Sequence, residues 1–284
     1  MRVAFATCAA MPGGSADDHP AARLLDAEFR CWDDESVDWE VFDRVVIRST
    51  WDYTARVPEF LSWCERVGAA RLRNSPSLVA FNVDKRYLGE LSVATVPTTF
   101  IAPGDQPAQL EGEVVVKPSI SAGARETGRF GPAFHGEARA LIARIHASGR
   151  VALVQPYMAA VDELGEAALV FFAGELSHTL RKSAVLAPDE EAPLAPGELA
   201  PALAMMREDL VLPHEAEPAT LAFADRVLSE ISERFGAPLY ARVDVVAGPD
   251  GRPALLELEV TEPHLFLALC PGASERLAAA VLAG

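Results

Sequence analysis

The sequence predicts an α/β protein in which a small N-terminal β-α-β domain precedes a larger region of strands and helices. Short apolar runs alternate with amphipathic segments of helical spacing, which is typical of this class. The length of 284 residues corresponds to roughly two domains. Half of the residues are hydrophobic and 23% are charged, so the composition is that of a globular chain rather than a disordered one.

The N-terminal elements are bounded by turn residues and capping residues. The apolar run at residues 2–8 predicts a first strand rather than a signal peptide. Pro58 in the first turn and Gly68 at the end bound a helix. An Asn-Ser-Pro sequence at residues 74–76 predicts a turn. The elements predicted in this part are strands 2–8 and 41–48 and helices 21–30, 58–68 and 83–91.

The rest of the chain continues the alternation of strands and helices. Residues 114–117 predict a strand that Pro118 stops, and residues 119–129 form a loop rich in small side chains. Residues 188–201 are rich in proline, alanine and glutamate and predict a surface loop. The remaining predicted elements are helix 136–147, strand 151–155, a hairpin of 167–172 with 176–182, and helix 219–235.

The net charge restricts the partners of the protein. Lys and Arg number 25 and Asp and Glu number 41, which gives a formal charge of −16 and a pI of about 4.8. Such a chain repels nucleic acid and anionic membranes, although it can hold a local basic pocket for a small anion. No apolar run approaches the roughly 18 residues of a membrane-spanning helix. The four cysteines lack C-x-x-C spacing, which predicts reduced thiols in the cytoplasm.

The clearest chemical signal is a hairpin near the C-terminus. Two strand-like runs flank an Asp-Gly pair at residues 250 and 251, which is a strong signal for a two-residue turn. That turn places Asp244 opposite Glu257. It also places Arg242 opposite Glu259. Because side chains alternate along a strand, these four lie on one face. The opposite face is expected to carry Val243, Val245, Leu256 and Leu258.

The acidic side chains of this hairpin predict a cation site. Like charges that face each other directly destabilise a sheet, so three converging carboxylates call for a cation. Ligands that are all oxygen favour Mg²⁺ or Mn²⁺ over zinc. The expected ligands are Asp244, Glu257 and Glu259. The alternative is an ordinary hairpin with a solvated polar face.

The lysines form a second signal, because the 25 basic residues include only Lys85, Lys117 and Lys182. A lysine ammonium is a compact donor that suits phosphate. Lys117 ends a strand and opens the small-residue loop, where backbone N–H groups near Ser121 and Gly123 can bind phosphate oxygens. The loop lacks the Lys-Ser/Thr ending of a P-loop, and no G-x-G-x-x-G follows a strand. The alternative is a mobile surface loop.

Taken in order, these segments resemble the ATP-grasp superfamily, in the branch of glutathione synthetase and D-alanine–D-alanine ligase. The resemblance covers the chain from about residue 82 onward. It depends on the order of Asp84-Lys85, Val-Val-Val-Lys117-Pro, a glycine-containing loop, Val-Gln155-Pro156-Tyr157, Lys182, Arg242-x-Asp244 and Glu257-x-Glu259.

The resemblance implies an α+β ATP-grasp fold in which two subdomains sandwich the nucleotide. It implies an N-terminal substrate-side domain (1–82), a central subdomain with a mobile loop (83–157) and a C-terminal subdomain with the metal site (158–284). The matching positions are Lys85, Lys117, Ser121 and Gly123 at the phosphates, Gln155, Pro156, Tyr157 and Met158 at the adenine, and Glu163 at the ribose.

The resemblance also implies two Mg²⁺ ions, for which Mn²⁺ can substitute. Asp244 and Glu257 match the family's ligands. The third ligand of this branch is usually asparagine, whereas this chain has Glu259, which would either bind the metal or contact Arg242. Arg242 would stabilise the transferring phosphate, and Lys182, at the end of the strand predicted at 176–182, would point towards phosphate. Family members are often dimers, so the resemblance allows a homodimer, although the sequence itself does not determine the oligomeric state.

The implied reaction joins a carboxylate to a nitrogen nucleophile. ATP phosphorylates the carboxylate, and the nucleophile then displaces phosphate from the acyl phosphate. Positioning and charge neutralisation achieve most of this chemistry, while water must be excluded. The loop at 119–129 is the expected lid.

The small-molecule substrate is expected where parallel strands end, because ligands of α/β sheets bind there. Ser49, Trp51 and Asp52 follow the second strand, and Asp52 could bind an ammonium group. His178 shares a strand face with Lys182, and His264 follows the metal strand. The alternatives are a packed Trp51, a turn cap at Asp52 and a packed loop histidine at 264.

Residues 48–53, 82–88 and 174–178 resemble one bacterial ATP-grasp subgroup that includes an antibiotic-forming cyclo-ligase. This resemblance implies that O-ureido-D-serine is cyclised to D-cycloserine. The alternatives are an intermolecular carboxylate-amine ligase, a non-catalytic ATP-binding module and a metal-dependent phosphatase. The intact Lys117, Arg242, Asp244 and Glu257 argue against the module, because a degenerate site usually loses its metal ligands.

Overall fold

The computed structural model of the protein describes residues 1–105 and 109–283, and these form three sheets with flanking helices. The strands in chain order are β1 Val3–Thr7, β2 Glu28–Cys31, β3 Arg44–Ser49, β4 Leu72–Arg73, β5 Thr99–Ile101, β6 Val114–Pro118, β7 Gly128–Phe130, β8 Ala152–Pro156, β9 Glu166–Phe172, β10 Glu175–Lys182, β11 Glu190–Glu191, β12 Val211–Pro213, β13 Tyr240–Ala247 and β14 Pro253–Glu259. The α-helices are α1 His19–Leu25, α2 Val57–Val67, α3 Pro76–Asn82, α4 His135–Ala147, α5 Ala160–Leu164, α6 Pro218–Phe235 and α7 Ala273–Ala283.

The first sheet is parallel, with the strand order β2-β1-β3-β4. The predicted strands at 2–8 and 41–48 are confirmed as β1 and β3, and the helix at 58–68 is confirmed as α2. The prediction of a helix to residue 30 is wrong. Helix α1 ends at Leu25 because Asp26 adopts a left-handed backbone conformation (φ 50°), and Glu28–Cys31 then pairs with β1.

The turn predicted at residues 74–76 is the start of helix α3. The Ser75 hydroxyl accepts a hydrogen bond from the Leu78 amide, and Pro76 occupies the first helical turn, so both residues act as helix-start signals. The helix predicted at 83–91 is shorter than expected and is a 3₁₀ helix, Lys85–Gly89, capped by Asp84. The capping residues Ser75 and Asp84 therefore start two separate helices where the sequence predicts a turn and one helix.

The second sheet is antiparallel, with the order β11-β7-β6-β8-β5. The predicted strands at 114–117 and 151–155 and the helix at 136–147 are confirmed as β6, β8 and α4. The surface loop predicted at 188–201 is wrong in part, because Glu190–Glu191 pairs with β7 and Ala192 and Ala195 are buried. The small side chains of the 119–129 loop allow this close approach: the Ala202 amide donates to the Gly123 carbonyl at 2.7 Å.

The third sheet is antiparallel, with the order β12-β10-β9-β13-β14, and it is buried on both faces. Ala168 and Val170 of β9 pack towards α7 and the first sheet. Leu169 and Phe171 pack towards α6. The hairpin predicted at 167–182 and the helix at 219–235 are confirmed. The strands that carry the charged residues are therefore anchored from both sides.

Candidate active site

A cavity of about 1100 Å³ lies between the three sheets. Strand residues of the second and third sheets line it, together with residues from the segments that follow β1 and β3 of the first sheet, so the cavity forms where the sheets meet rather than within one of them. Most of the predicted site residues reach it, namely Trp51, Lys85, Lys117, Ser121, Gly123, Gln155, Pro156, Tyr157, Met158, Lys182, Arg242, Asp244, Glu257, Glu259 and His264. The predicted residues outside its lining are Ser49, Asp52, Glu163 and His178.

The charged face of the last hairpin has the predicted register. Asp244 pairs with Glu257 and Arg242 pairs with Glu259, which confirms the expected pairing at the site. Closer to the turn the register differs, because Val245 pairs with Leu255. The predicted two-residue turn is wrong, since the hairpin bonds between Gly248 and Arg252. A bulge between the two halves restores the predicted register at the charged residues.

The bulge also moves Leu256 to the other side of the hairpin. Val243, Val245 and Leu258 lie on the face opposite the charged residues, as predicted, and they pack in the core beneath α6. Leu256 instead packs with Met158 beside the cavity, so the prediction that it lies on the face opposite the charged residues is wrong. The physical reason is that a bulge residue breaks the two-residue alternation.

Asp244 is held between two cations. Arg242 donates to both of its oxygens, from Nε and Nη2, each at 2.9 Å, and Lys182 Nζ donates to Oδ2 at 2.7 Å. Burial alone would raise the pKa of Asp244, but the two cations outweigh it and lower the pKa to about 2. Lys182 also lies 2.8 Å from Glu166, and these acids hold the lysine pKa above its usual range despite burial.

Lys85 and Lys117 flank the other half of the charged face. Lys85 Nζ donates to the Ser121 carbonyl at 2.7 Å and lies 3.3 Å from Glu257. Lys117 is buried, and within the described ranges it forms no ion pair. Burial is the main influence on Lys117 and lowers its pKa. A buried ammonium group without an ion pair would be stabilised by a bound anion.

Two further acids of the cavity, Glu259 and Glu262, have raised pKa values. Burial and the nearby Glu257 and Asp244 raise the pKa of Glu259 to about 7, although Arg242 donates to it. Burial and Glu259 raise the pKa of Glu262 to about 8, although Tyr53 is hydrogen-bonded to it. Four carboxyl groups thus line the cavity, those of Asp244, Glu257, Glu259 and Glu262, and repulsion between them contributes to the raised pKa values of Glu259 and Glu262.

The donor set fits Mg²⁺ or Mn²⁺ chemically, because Asp244, Glu257 and Glu259 offer carboxylate oxygens alone. In the part of the chain that the structure describes, no three Asp, Glu, His or Cys side chains converge at ligand spacing. Each of the three carboxylates contacts a protein cation instead. Mg²⁺ commonly takes one or two carboxylates with substrate phosphates, so full convergence is not required.

The opposite wall of the cavity is apolar. Met158 packs with Val161 and Val96, and Tyr157 packs against the same cluster. The Gln155 amide is buried and donates to Thr98 Oγ1 at 2.8 Å, so its side chain supports the wall. Such a surface suits a planar aromatic base.

Glu163 lies exposed on α5, outside the cavity lining, so its expected contact with a ribose has no support in this arrangement. Neighbouring Val161 faces the cavity instead, because the short helix turns Glu163 away.

The substrate end of the cavity is formed by Trp51 and His264. Trp51 Nε1 donates to the Glu262 carbonyl at 3.0 Å, and the Trp51 and His264 rings stack at 6.4 Å between centroids. Sequence analysis missed Glu262 and Tyr53, both of which line the cavity. The sequence signal that could have identified Glu262 is the Thr-Glu-Pro-His sequence at residues 261–264, which begins two residues after the end of β14.

Three residues predicted to bind substrate instead form hydrogen bonds with other parts of the protein. Asp52 accepts a hydrogen bond from Trp32 at 2.9 Å and pairs with Arg56. Ser49 is fully buried, where its hydroxyl accepts from the Ser15 amide and contacts Asp18. The buried His178 ring bonds to the Leu265 carbonyl through Nε2 at 2.8 Å, and burial lowers its pKa. Their polar atoms are satisfied within the fold, which explains why they do not reach the cavity.

Comparisons with known proteins agree with this architecture. A family model described as the N-terminal domain of the D-cycloserine synthetase DcsG matches residues 3–74. The cycloserine biosynthesis protein DcsG of Streptomyces lavendulae is 35% identical over 274 residues, which span 90% of this chain and 88% of that protein.

Two solved structures have folds similar to that of this chain. The crystal structure of D-cycloserine synthetase DcsG has a TM-score of 0.84 at 32% identity and covers 99% of this chain and 98% of that chain. D-alanine–D-alanine ligase from Bacillus anthracis, complexed with ATP, has a TM-score of 0.63 at 11% identity and covers 100% of this chain and 96% of that chain.

The fold and the cavity therefore define an ATP-grasp ligase, an enzyme that forms carbon–nitrogen bonds, as the resemblance implied. Within this class of enzymes, the sequence identity to DcsG and the share of the chain that the match covers identify a particular family. The chain belongs to the D-cycloserine synthetase family of ATP-grasp ligases. Across the described residues, no helix combines the length and apolar character that a bilayer crossing needs.

Proposed function

We propose that the enzyme cyclises O-ureido-D-serine to D-cycloserine at the expense of ATP. The observation that carries this proposal is the cavity itself, in which Lys117, Lys182 and Arg242 lie near Glu257, and Trp51 lies at the substrate end. The names of the similar proteins, a cycloserine biosynthesis protein and a D-cycloserine synthetase, support the choice of product.

The proposed reaction has three steps: phosphorylation of the carboxylate, ring closure and loss of the carbamoyl group. The substrate carboxylate attacks the γ-phosphorus of ATP, which gives an acyl phosphate and ADP. The ureido nitrogen bonded to oxygen then attacks the acyl carbon, and phosphate leaves as the ring closes and the nitrogen loses its proton. Water finally removes the carbamoyl group as CO₂ and ammonia. Throughout, the protein supplies position and charge neutralisation rather than a covalent bond.

The nucleotide occupies the cavity with its adenine against the apolar wall and its phosphates near the lysines. Met158 and Leu256 pack against the base, and backbone groups of residues 155–158 bind its polar edge. Lys85, Lys117 and the loop amides near Ser121 and Gly123 bind phosphate oxygens. The low lysine pKa at Lys117 supports this role, because an anion stabilises the ammonium that burial disfavours.

The carboxylates of Asp244, Glu257 and Glu259 would hold one or two Mg²⁺ ions when the nucleotide is bound. Bound Mg²⁺ would supply positive charge for phosphate transfer. Without a bound ion, Lys85 neutralises Glu257, and Lys182 neutralises Asp244. Arg242 anchors Asp244 and faces the transferring phosphate.

The charges of the cavity orient a zwitterionic amino acid. Arg242 attracts its carboxylate towards the phosphates. Glu262 receives its ammonium group, since Glu262 lines the cavity and no ion pair in the described part of the chain includes it. Trp51 covers the same end with its ring, which favours a bound cation. A carboxylate that lacks a cation in the free enzyme gains one from the substrate.

The decisive experiment combines MgATP with O-ureido-D-serine and measures ADP release and product mass in one tube. ADP together with D-cycloserine supports the proposal. ADP release without that mass, or release with other amino acids and an added amine, supports an intermolecular ligase instead. Binding of ATP without turnover on any carboxylate supports a non-catalytic module.

The proposal also includes that the enzyme is a homodimer in the cytoplasm. Light scattering of the purified enzyme measures whether it is a dimer.

A further inference from the structure

The loop above the phosphates is tied to the substrate end of the cavity by one arginine. Arg125 lies in the loop between β6 and β7 and lines the cavity. Its Nη2 donates to the Trp51 carbonyl at 3.0 Å and to Thr54 Oγ1 at 2.7 Å. Its Nε donates to the Ala122 carbonyl at 3.1 Å, within the loop. A single guanidinium thus joins the loop to the segment that holds Trp51.

Other contacts of the loop join it to parts of the protein outside the substrate end of the cavity. Glu126 pairs with Arg150, which follows α4, at 2.5 Å and so holds the loop to its own sheet region. The Gly123 carbonyl accepts from the Ala202 amide. These contacts keep the loop folded and do not involve the substrate end. They also provide a matched control, because the Arg150 pair holds the neighbouring loop residue.

We propose that Arg125 is a positioning residue that couples closure of the 119–127 loop to occupation of the substrate end of the cavity. The inference rests on the proposed function. In this conformation of the segment after β3, the Trp51 carbonyl and the Thr54 hydroxyl both accept hydrogen bonds from the guanidinium. Trp51 Nε1 donates in turn to the Glu262 carbonyl, so Arg125, Trp51 and the residue proposed to receive the ammonium group form one chain of hydrogen bonds.

The consequence concerns the fate of the acyl phosphate. In a closed cavity the intermediate reacts with the internal nitrogen, and phosphate leaves. In an open cavity water attacks the same carbonyl and returns the free carboxylate and phosphate, so ATP is spent without product. Coupling the loop to the substrate end prevents this loss, because the lid closes when the substrate is in place.

The test measures ADP and D-cycloserine together in wild-type enzyme and in the Arg125→Gln, Arg125→Lys and Arg150→Gln variants. For Arg125→Gln we expect the ratio of ADP to product to rise at least fivefold, with a higher KM for the amino acid and a smaller change in the KM for ATP. Arg125→Lys keeps one donor and is expected to restore part of the coupling. Arg150→Gln is expected to keep the wild-type ratio.

Two results would overturn the inference. An unchanged ratio in Arg125→Gln means that the residue does not couple closure to ligation. An equal rise in Arg125→Gln and Arg150→Gln means that general loosening of the loop is responsible. If Arg125→Gln does not fold, Thr54→Val, which lacks the acceptor, gives the same comparison against Thr54→Ser. A wild-type enzyme that forms no D-cycloserine contradicts the proposed function instead, so the two failures are distinct.

Discussion

Asp244 and Glu257 face each other across the last hairpin, although the turn between them is longer than the one that the sequence predicts. The bulge near Leu256 compensates for the longer turn and returns the two carboxylates to opposite positions. Without it, the pairing found near the turn would continue to the charged end and place Glu257 out of step with Asp244. The acidic pair depends on this irregularity rather than on a regular ladder.

Replacing Glu257 with glutamine is expected to raise the Mg²⁺ concentration needed for half-maximal activity by at least about tenfold, the scale on which even outer-shell partners act. The amide keeps the shape but lacks the charge that attracts the ion. A titration of activity against Mg²⁺ at saturating ATP measures the change. Glu163→Gln is the control, since Glu163 is exposed and outside the cavity lining. Equal Mg²⁺ dependence in both variants would locate the metal elsewhere.

Lys117→Met is expected to reduce ATP turnover at least about 100-fold, as for the loss of one donor that stabilises transition-state charge. It is also expected to keep or raise the melting temperature, because burial disfavours the Lys117 ammonium in the free enzyme. Single-turnover ADP release and thermal unfolding measure the two effects. Arg139→Met, on the exposed face of α4, is expected to alter neither. Retained turnover in Lys117→Met contradicts the phosphate role.

Glu262→Gln is expected to flatten the dependence of stability on pH. The Glu262 carboxyl has a folded pKa of about 8 against an ordinary value of 4.5, so the folded protein holds its proton to higher pH than the unfolded chain. The free energy of unfolding of the wild type therefore falls as pH rises from about 4.5 to about 8. Glu259, with a pKa of about 7, accounts for part of this slope and remains in the variant.

Urea unfolding at intervals between pH 5 and pH 8 measures the difference. The same variant is expected to raise the KM for the amino acid more than the KM for ATP, since Glu262 receives the ammonium group in the proposed complex. Parallel stability curves for the two proteins would contradict the burial of this carboxyl. An unchanged KM for the amino acid would remove Glu262 from the substrate site.

His178→Ala is expected to lower stability by about 1–3 kcal/mol, because the buried Leu265 carbonyl loses its partner. The KM values for both substrates are expected to stay at wild-type levels, since His178 lies outside the cavity lining. Urea unfolding together with steady-state kinetics separates the two effects. A higher KM for the amino acid at unchanged stability would return His178 to the substrate site.

Much of the fold could be predicted from local signals. Pro58 and Gly68 bound α2 as expected, and period-two alternation placed Arg242 and Asp244 on one face of β13. The helix start at Ser75-Pro76 was a local signal as well, but it was interpreted as a turn. The prediction of a two-residue turn was wrong, and the site register was nevertheless right because the bulge offset the error.

The sequence by itself determined the alternation of elements, the charged face of the hairpin and the order of the ATP-grasp segments. The tertiary structure decided which side chains reach the cavity. His178 turns to Leu265, 87 residues away, and Arg125 reaches Trp51, 74 residues away. The physical reason is that period and capping act between neighbours along the chain, whereas a polar side chain takes the hydrogen-bond partner that folding brings to it.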